Sequence, residues 1–512
     1  MIEAPILVCP SVLSPWHIAA IRWGQQNNFS FVEKQSPVLR QPWWQRLIER
    51  ATFKHRAAAL ESAPSFVSMH DDQAPVCIDI RGANDVIPGK NLLLKPFFNN
   101  SFDVGALAAT LINEQVPVLG WAGRISPEEP WRVLAKADIA VRDPLGLEGA
   151  LFLCGERLGA LLEHAWAKKH FGEIFIPDEM MPRVSFFRLA LKQLRVRLKN
   201  ILIKPFFRLN HWQLAVCQPG SNAVWHTIDS GHKIFEADPV IWSSPDGVND
   251  LFFELSCYGQ GKTVIAHRHL SKDGTVSPAK VIIAQPHSLS YPHLFAWQGN
   301  TYMALCTDAG GIKIFRAAAF PQQWVLEHKI MAHQSWADAT LHYDGQRWWL
   351  FASPARAYIP NWDELVLFYA DDPFGDWHPH PANPIVQSAT GGRMAGSLFE
   401  HEGHLFRPGQ DCRGGYGRGV VFAHIDTLTP EAYQETLVPC PVHLPEKVPG
   451  REQWHTFAYS NSWCVLDYKK RSFITRHLRT HPTNPAQNPC TPGHRYDDQR
   501  RQFSEGMLRC GK

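Results

Sequence analysis

Two patterns of hydrophobic and polar positions divide the chain. Up to about residue 175, short apolar runs alternate with segments of helical spacing, and the runs are APILVCP, PVCIDIRG, KNLLLKPFF and VPVLGWAG. The stretch DPLGLEGALFLCGERLGALLEHAWAKKHF has apolar residues at helical spacing and predicts one closing amphipathic helix. This alternation predicts an α/β domain over residues 1–175, with a mainly parallel sheet.

From about residue 211 the pattern changes to short alternating strands separated by turn residues, and it recurs. Copies follow one another at roughly 50 residues, an interval that suits propeller blades of four strands. Five copies predict an all-β, five-bladed β-propeller over residues 211–477. The copies are FEADPVIWSSPDGVNDLFFEL from Phe235, LSYPHLFAWQGNTYMALCT from Leu289, WADATLHYDGQRWWLFAS from Trp336, MAGSLFEHEGHLFRPGQD from Met394 and HTFAYSNSWCVLDYKKRSF from His455.

A basic linker, residues 176–210, connects the two predicted domains. Its part from 183 to 208 has many Arg and Lys residues, no acidic residue, and interleaved Phe, Leu, Ile and Val. Two interpretations remain open: a helix that packs its apolar face on one domain, or an amphipathic segment that lies on an anionic membrane surface. The tail, residues 478–512, is polar and rich in proline, and we expect it to be disordered.

Composition narrows the possible partners. A net charge of +3, from 51 basic and 48 acidic residues, gives no global indication of nucleic-acid binding. The N-terminal residues lack the pattern of a secretory signal, and no apolar run approaches a bilayer span, so we expect a cytoplasmic protein, or one peripheral to the inner face of the membrane. The 11 cysteines are scattered singly, with no CxxC and no metal-like Cys/His spacing, which favours reduced thiols over a disulfide framework. We expect no metal site and no bound cofactor.

The strand that opens each repeat should begin near the central axis of a propeller, so its polar residues should converge. The residues selected on this logic as a substrate site are Glu236, Asp238, Tyr291, His293, Asp338, Arg393 and His455. Arg407, Gln410 and Asp411, on the next strand of the fourth blade, are expected to join them.

The motifs ADPVIW…DLFFEL and ADATLHYDGQRWWLFAS resemble those of five-bladed glycosidases that include β-xylosidases and α-arabinofuranosidases. That resemblance implies that Asp238 is a catalytic base and that Asp338 tunes pKa values and orients the sugar. Where those enzymes have the proton-donating Glu, this chain has Met394-Ala395-Gly396. Loss of an acid typically costs about 10² to 10⁴ in rate, which favours an activated donor such as a sugar nucleotide over hydrolysis.

A second resemblance covers nearly the whole predicted propeller. The series FEADP, LSYPH, HPANPI and GGRMAGSLFEHEGHLFRPGQDCRGGYGRGVVFAHIDTLTPEAY is similar to the N-terminal domain of plant glucosamine inositolphosphorylceramide transferase and its bacterial relatives. Residues 75–170 resemble a degenerate formyltransferase-like domain. Since the segment NNSFD lacks a His, we expect no formyl transfer.

These resemblances imply a glycosyltransferase-like enzyme of cell-envelope polysaccharide or glycolipid biosynthesis, acting on a carbohydrate or sugar nucleotide. Two alternatives remain. One is a glycoside hydrolase of the propeller type whose acid is Glu400 or Glu402, and the other is a non-catalytic, glycan-binding propeller.

Overall fold

The computed structural model describes two stretches of chain and several short pieces. These are residues 6–9, 30–33, 76–79, 92–177 with gaps at 114, 127, 142–145 and 169–170, isolated positions between 187 and 198, and 207–473 with gaps at 221–222, 245, 259–261, 308–309, 357–359, 450–452 and 461. The chain forms two compact units that divide between Arg197 and Leu198, inside the predicted linker.

The first unit contains one six-stranded sheet and two helices. The strand order is β2-β1-β3-β4-β5-β6; β1 to β4 pair in parallel, and β4 to β6 pair antiparallel. The elements are β1 (Ile6–Cys9), β2 (Ser30–Glu33), β3 (Val76–Asp79), β4 (Leu92–Phe98), α1 (Val104–Ile112), β5 (Val118–Arg124), β6 (Arg132–Asp138) and α2 (Gly146–Lys168).

Short polar contacts fix the helices of this unit. Asp103 caps α1 by accepting a hydrogen bond from the backbone N–H of Gly105. The buried Trp121 indole donates to the carbonyl of Leu158 in α2, at 2.8 Å. Asn99, in the predicted formyltransferase-like segment, accepts a hydrogen bond from the backbone N–H of Val118, a structural role at the end of β4.

The second unit is built from five antiparallel sheets, each containing a path of four strands. The sheets are, in chain order of their first strands, β9-β10-β11-β12, β13-β14-β15-β16, β17-β18-β19-β20, β21-β23-β24-β25 with β22 beside β23, and β26-β27-β7-β8. We number them sheets 1 to 5. The strands are β7 (Phe207–Cys217), β8 (His226–Ile228), β9 (Ile234–Ser243), β10 (Asn249–Cys257), β11 (Thr263–Leu270), β12 (Lys280–Ile283), β13 (Leu289–Trp297), β14 (Asn300–Thr307), β15 (Ile312–Ala319), β16 (Gln323–Ile330), β17 (Trp336–Tyr343), β18 (Trp348–Pro354), β19 (Val366–Ala370), β20 (His378–Pro379), β21 (Thr390–Met394), β22 (Phe399–His401), β23 (His404–Asp411), β24 (Gly419–Leu428), β25 (Tyr433–Val438), β26 (Trp454–Ser460) and β27 (Trp463–Phe473).

Contacts between consecutive sheets close a ring. The strands β9, β13, β17 and β21 contact one another in turn, β23 and β24 contact β26, and β26 contacts β9. Sheet 5 joins the two ends of the unit, because β27 pairs with β7 over registered partners from Cys464↔Cys217 to Phe473↔Phe207. The pair β7 and β8 and the pair β26 and β27 are therefore more than 200 residues apart in the sequence, and the pairing of β27 with β7 holds the ring closed.

A hydrophobic cluster fills each of the five gaps between neighbouring sheets. For example, Leu251 and Phe253 of sheet 1 pack with Val465 of sheet 5, and Phe295 of sheet 2 packs with Trp348 of sheet 3. The other clusters join sheets 1 and 2, 3 and 4, and 4 and 5. Strands inside the sheets, such as β10 and β18, are buried on both faces, which explains their long apolar runs, whereas the outer strands β16 and β25 are largely exposed.

The innermost strand of every sheet carries an irregularity at the same place. In sheets 1, 2 and 3 two residues of the inner strand oppose one residue of the next strand, and the first of the two adopts a left-handed conformation: Asp238 at φ +51°, Tyr291 at φ +51° and Asp338 at φ +52°. Register shifts also occur in the inner strands of sheets 4 and 5. A β-bulge redirects a side chain that would otherwise alternate between the two faces.

Several sequence-based expectations fall on residues outside this description. The basic segment at 183–208 is described only at isolated positions and from residue 207, and the tail at 478–512 is outside the described residues. Within the described part of the chain, no helix combines the length and apolar character that a bilayer span requires.

Sheets 4 and 5 meet so closely at Gly396 that a side chain there should disrupt the ring. A Cβ on this residue, at φ +146°, would lie 1.9 Å from the carbonyl oxygen of Phe457. We predict that Gly396→Ala lowers the free energy of unfolding by about 1–3 kcal/mol more than Gly220→Ala. Gly220 is a matched control, because it has φ +148° and open space around its Cβ position. Denaturant titration of both variants tests this, and equal losses would contradict the packing.

Candidate functional site

The inner-strand irregularities place five predicted residues at equivalent positions around the ring. Asp238, Tyr291, Asp338, Arg393 and His455 lie at the shifts of sheets 1 to 5 respectively. Gln410 of sheet 4 and Asp467 of sheet 5 occupy the facing positions on the second strands. We call the cluster formed by Asp238, Glu254, Asp338, Arg393, Gln410, His455, Thr456 and Asp467 the central group.

His455 lies between two carboxylates. Its Nε2 is 3.1 Å from Oδ1 of Asp238, and its Nδ1 is 2.9 Å from Oδ2 of Asp467. Thr456 also donates its hydroxyl to Asp238, and the backbone N–H of Asp238 donates to Asp467. These contacts tie sheet 5 to sheet 1.

The electrostatics of this arrangement favour an imidazolium. Burial by itself would lower the pKa of His455, but the charge of Asp467 and the hydrogen bond to Asp238 outweigh it and raise the pKa to about 10. In return, His455 and Thr456 overcome the burial of Asp238 and hold the pKa of that carboxyl below its usual value. At neutral pH the group therefore contains a cation with a carboxylate on each side.

Arg393 links a second pair of neighbouring sheets. Its Nε and Nη2 donate to the two carboxylate oxygens of Asp338 at 2.5 and 3.0 Å, a bidentate pair between sheets 4 and 3. Gln410 donates to the same carboxylate at 2.8 Å, and the remaining Nη1 of Arg393 donates to Asn361. Burial raises the pKa of Asp338, and the charge of Arg393 opposes that rise.

Glu254 is a member of the group that the sequence analysis did not select. It lies on β10, opposite Ala237, and is buried. Burial, followed by the charge of Asp238 and a hydrogen bond to it, raises the pKa of Glu254 well above its ordinary value. The pair therefore holds a carboxylic acid beside a carboxylate, as two carboxyl groups that share one site do.

Aromatic rings border the central group. The Tyr416 ring lies 4.9 Å from the His455 ring, and the guanidinium carbon of Arg393 lies 5.3 Å from its centroid. Trp362 stacks on Tyr416 at 5.7 Å with an interplanar angle of 29°, and both side chains are half-buried. The Trp212 ring lies 4.1 Å from His455. Half-buried aromatic faces beside hydrogen-bonding groups suit a ligand that is apolar on its ring face and polar at its edges, as a sugar is.

The structure places four predicted residues away from the central group. Arg407 is fully buried and bidentate to Glu435, and its Nη1 donates to the carbonyl of Gly391, so its charge is already matched inside sheet 4. Glu236, also fully buried, pairs with Arg268 at 2.7 Å.

The other two have local partners. His293 contacts the hydroxyl of Ser397 at 3.1 Å, and burial lowers its pKa to about 4, which keeps it neutral. Asp411 binds the guanidinium of Arg413 through both oxygens. Tyr291, by contrast, adjoins the group: its hydroxyl is 3.0 Å from Thr340, and burial and the charge of Asp338 raise its pKa.

The segment Met394-Ala395-Gly396 carries no acid into the site. Met394 belongs to the cluster between sheets 3 and 4, and Gly396 has no space for a side chain. Glu400 is exposed on β22, and Glu402 lies at the following hairpin with 84% of its side chain exposed. The structure therefore gives neither glutamate a contact with the central group.

Three ligand atoms of the central group could hold a cation. Those of Asp238, His455 and Asp467 lie within 4.8 Å of one another. His455 binds a metal only as a neutral imidazole, whereas its surroundings favour the protonated form. In this geometry the imidazolium itself supplies the positive charge that the two carboxylates require.

Glu254 and Asp467 each had a signal in the sequence. Glu254 interrupts the apolar run LFFEL of β10, and Asp467 is the sole acid of β27, where it follows the apolar run WCVL. A charged residue in a strand that is buried on both faces needs a partner, and that requirement points to a polar site.

The protonation of His455 predicts a loss of stability at alkaline pH. Its folded-state pKa lies above the unfolded value near 6.5, so the stabilisation is complete below pH 6.5 and is lost as pH rises toward 10. We expect the loss to be on the order of 4 kcal/mol. Denaturant titrations between pH 6.5 and 9.5 should show a steeper decline for the wild type than for His455→Gln. His293→Gln is the control and should keep the wild-type slope, because His293 is neutral throughout this range. Identical slopes in all three proteins would contradict the imidazolium.

The Arg393–Asp338 ion pair should contribute strongly to the stability of the ring. Arg393→Met leaves a buried carboxylate without its cation and should lower the free energy of unfolding by about 3–5 kcal/mol, part of which Asp338→Asn should restore in the double variant. Arg316→Met removes an arginine from the more exposed pair with Glu327 and should cost less than about 1 kcal/mol. A comparable loss in both arginine variants would show that the central pair is not electrostatically important.

Comparisons with solved structures give low similarity. A Cellvibrio cellulosa α-L-arabinanase complexed with arabinohexaose is 14% identical, with a TM-score of 0.33, covering 45% of this chain and 93% of that chain. An exo-β-1,3-galactanase from Clostridium thermocellum is 10% identical, with a TM-score of 0.34, covering 45% and 60%. Scores of this size support no conclusion about function.

Sequence relatives are more informative. Glucosamine inositolphosphorylceramide transferase 1 of Oryza sativa subsp. japonica is 37% identical over 232 residues, which are 44% of this chain and 30% of the relative. The protein of the same name from Arabidopsis thaliana is 30% identical over 226 residues, 43% of this chain and 29% of the relative. This chain thus matches less than a third of the length of these relatives.

A family model covers the ring of sheets almost completely. The model for glucosamine inositolphosphorylceramide transferase 1, N-terminal, matches residues 210–472, just over half of the chain. The matched range contains every residue of the central group. The chain therefore belongs to the family defined by the N-terminal region of glucosamine inositolphosphorylceramide transferase 1.

Proposed function

We propose that this chain is a carbohydrate-active protein of the glycosyltransferase type, and that the central group is its sugar site. The ring of five sheets is then a five-bladed β-propeller with the site at its axis. The role belongs to cell-envelope polysaccharide or glycolipid biosynthesis. The family membership and the name of the matched relatives support this class of substrate.

One observation carries the proposal. Asp238 and Asp338 occupy matched positions in sheets 1 and 3, and both adopt left-handed backbone conformations that are uncommon for residues other than glycine. Such conformations persist where the surrounding structure imposes them, and they concentrate at functional sites. Here they bring two carboxylates to one cluster beside an arginine and half-buried aromatic rings.

The geometry suggests a separate catalytic or binding role for each of these residues. Asp238 accepts a hydrogen bond from an acceptor hydroxyl and takes its proton as transfer proceeds. Asp338 and Gln410 are held by their mutual hydrogen bond and orient hydroxyls of the bound sugar. Arg393, a permanent cation 12% exposed at its side chain, stabilises negative charge that develops on the leaving group.

A glycoside hydrolase is the second candidate function, because Glu254 has the raised pKa that a general acid requires. The position of Glu254 argues against a hydrolase in which Glu254 is the acid and Asp238 is the base. The two carboxyl groups are hydrogen-bonded to each other, whereas the catalytic carboxyls of glycosidases are about 5 Å apart in retaining enzymes and about 6.5–9.5 Å apart in inverting enzymes. The pair leaves no space for a glycosidic bond and a water between them.

A non-catalytic binding role is a further alternative, because this chain matches less than a third of each relative. About 70% of each relative lies outside the match, and the transferase activity in the name is that of the whole relative. A non-catalytic, glycan-binding propeller uses the same central group without turnover. A cytoplasmic location, membrane attachment through 183–208 and a formyltransferase-like first unit remain further proposals from the sequence.

Ligand binding and turnover separate these functions. A sugar nucleotide should raise the melting temperature, and Asp238→Asn should weaken its binding by about tenfold, because the amide replaces a charged acceptor. Asp371→Asn, at an exposed turn, is the matched control and should bind like the wild type. Isothermal titration measures the affinities.

Assays for transfer to an acceptor and for hydrolysis of aryl furanosides and xylosides then follow. Hydrolysis that Asp238→Asn abolishes would refute the transferase proposal in favour of the hydrolase. Binding without turnover in either assay would identify a glycan-binding protein.

A further inference from the structure

A histidine motif in sheet 1 lies outside the central group. The sequence HRH, residues 267–269, is near the end of β11, and because side chains alternate along a strand, His267 and His269 lie on one face and Arg268 on the other. The strand β10 runs beside β11 in antiparallel register, and Asp250 is directly opposite His269. Diagonal neighbours in such a pair are also within reach of long side chains, so Asp250 can contact both histidines.

Both imidazoles lie close to the same carboxylate oxygen. Nε2 of His267 lies 2.6 Å from Oδ1 of Asp250, and Nδ1 of His269 lies 3.6 Å from that oxygen. Two ligand atoms on one tetrahedral zinc ion are about 3.3 Å apart, since each bond to the metal is about 2.0–2.2 Å long. The two observed distances therefore lie on either side of the separation that a shared metal ion requires.

The three side chains differ in their freedom to move. Asp250 and His267 are each 5% exposed, whereas 47% of the His269 side chain is exposed. The His267 ring lies 5.1 Å from the ring of Phe252, which belongs to the cluster between sheets 1 and 2. Packing therefore fixes the first imidazole, and the exposed second imidazole can turn toward the carboxylate without displacing a core side chain.

The basic residues beside this group have partners of their own. Lys280 of β12 opposes the first imidazole in register, but its ammonium donates to the side chain of Gln322 in sheet 2. Arg268, on the other face of β11, donates to Glu236 at 2.7 Å. Among the residues that the structure describes, the carboxylate of Asp250 contacts the two imidazoles. A buried carboxylate between two imidazoles is a set of donors that suits a metal ion.

We propose that Asp250, His267 and His269 form a binding site for a divalent transition-metal ion of the zinc class. Imidazole and carboxylate donors suit zinc, whereas calcium and magnesium prefer oxygen ligands. The ion takes the place of the proton that Nε2 of His267 shares with Asp250, and the neutral imidazole then carries its proton on Nδ1. Three protein ligands leave a fourth position for a water molecule.

This site goes beyond the proposed function, because it is separate from the sugar site. Asp250 and Glu254 of the central group lie on the same strand, and their separation along it is about 13 Å. The metal ion would join β10 to β11 near the rim of the gap between sheets 1 and 2, where it stabilises the folded ring by binding to it.

Isothermal titration of the metal-free protein with zinc chloride tests the site. The wild type should bind zinc more tightly than calcium or magnesium, and zinc should raise its melting temperature. His269→Gln should weaken zinc binding by about 100-fold, since losing even an outer-shell partner of a metal ligand costs about 10–100-fold. Because the His269 side chain is exposed, the metal-free variant should melt at the wild-type temperature, which separates lost affinity from unfolding.

Two control variants remove histidines at other places that zinc can reach. His404→Gln/His424→Gln removes an exposed pair in sheet 4, whose Nδ1 and Nε2 atoms are 3.1 Å apart. His455→Gln removes the histidine that lies beside Asp238 and Asp467 in the central group. Both variants should keep the wild-type affinity for zinc.

The outcomes are distinct from those for the sugar site. Absence of zinc binding in the wild type, wild-type affinity in His269→Gln, or loss of affinity in either control variant would overturn the metal site. Calcium or magnesium binding as tight as zinc binding would refute the assignment to a transition metal. None of these results changes the binding of a sugar nucleotide, so either proposal can fail while the other stands.

Discussion

Two cations at the centre of the ring of sheets, the largely buried Arg393 and the buried His455, link the sheets to one another. Arg393 joins sheet 4 to Asp338 of sheet 3, and His455 of sheet 5 lies between its own Asp467 and Asp238 of sheet 1. A buried charge without a partner costs several kcal/mol, so each sheet must take a position that keeps these pairs intact. The central group thus couples the geometry of four sheets to one set of charges.

Apolar packing makes that geometry possible. A cluster in every gap fixes each sheet against its neighbours, and a slip of one residue would turn the buried side chains to the wrong face. The bulge in each inner strand then departs from the alternation at one position, where it directs Asp238, Tyr291 and Asp338 to the centre. Clusters and bulges together explain how polar residues can occur in strands that are otherwise apolar.

The sequence predicted much of this site because the repeats mark equivalent positions. Asp238 and Asp338 follow the same dipeptide pattern in two copies, and their convergence in the structure follows from that equivalence. Partners could not be read from the sequence: Asp467 receives the backbone N–H of Asp238 from 229 positions away. Arg393 and Arg407 were equally basic candidates, and only the positions of Asp338 and Glu435 distinguish the central arginine from the one buried in sheet 4. The contribution of β7 and β8 to sheet 5 also depends on long-range pairing.

In the proposed sugar site, the central group brings together fixed carboxylates and an arginine, and the half-buried rings of Tyr416 and Trp362 border it. A crystal structure of this chain with a bound sugar nucleotide tests that account most directly. We predict density for the sugar ring between Trp362 and Asp238, within hydrogen-bond distance of Asp338 or Arg393. A well-defined sugar bound elsewhere, with the central group closed to it, would contradict the account.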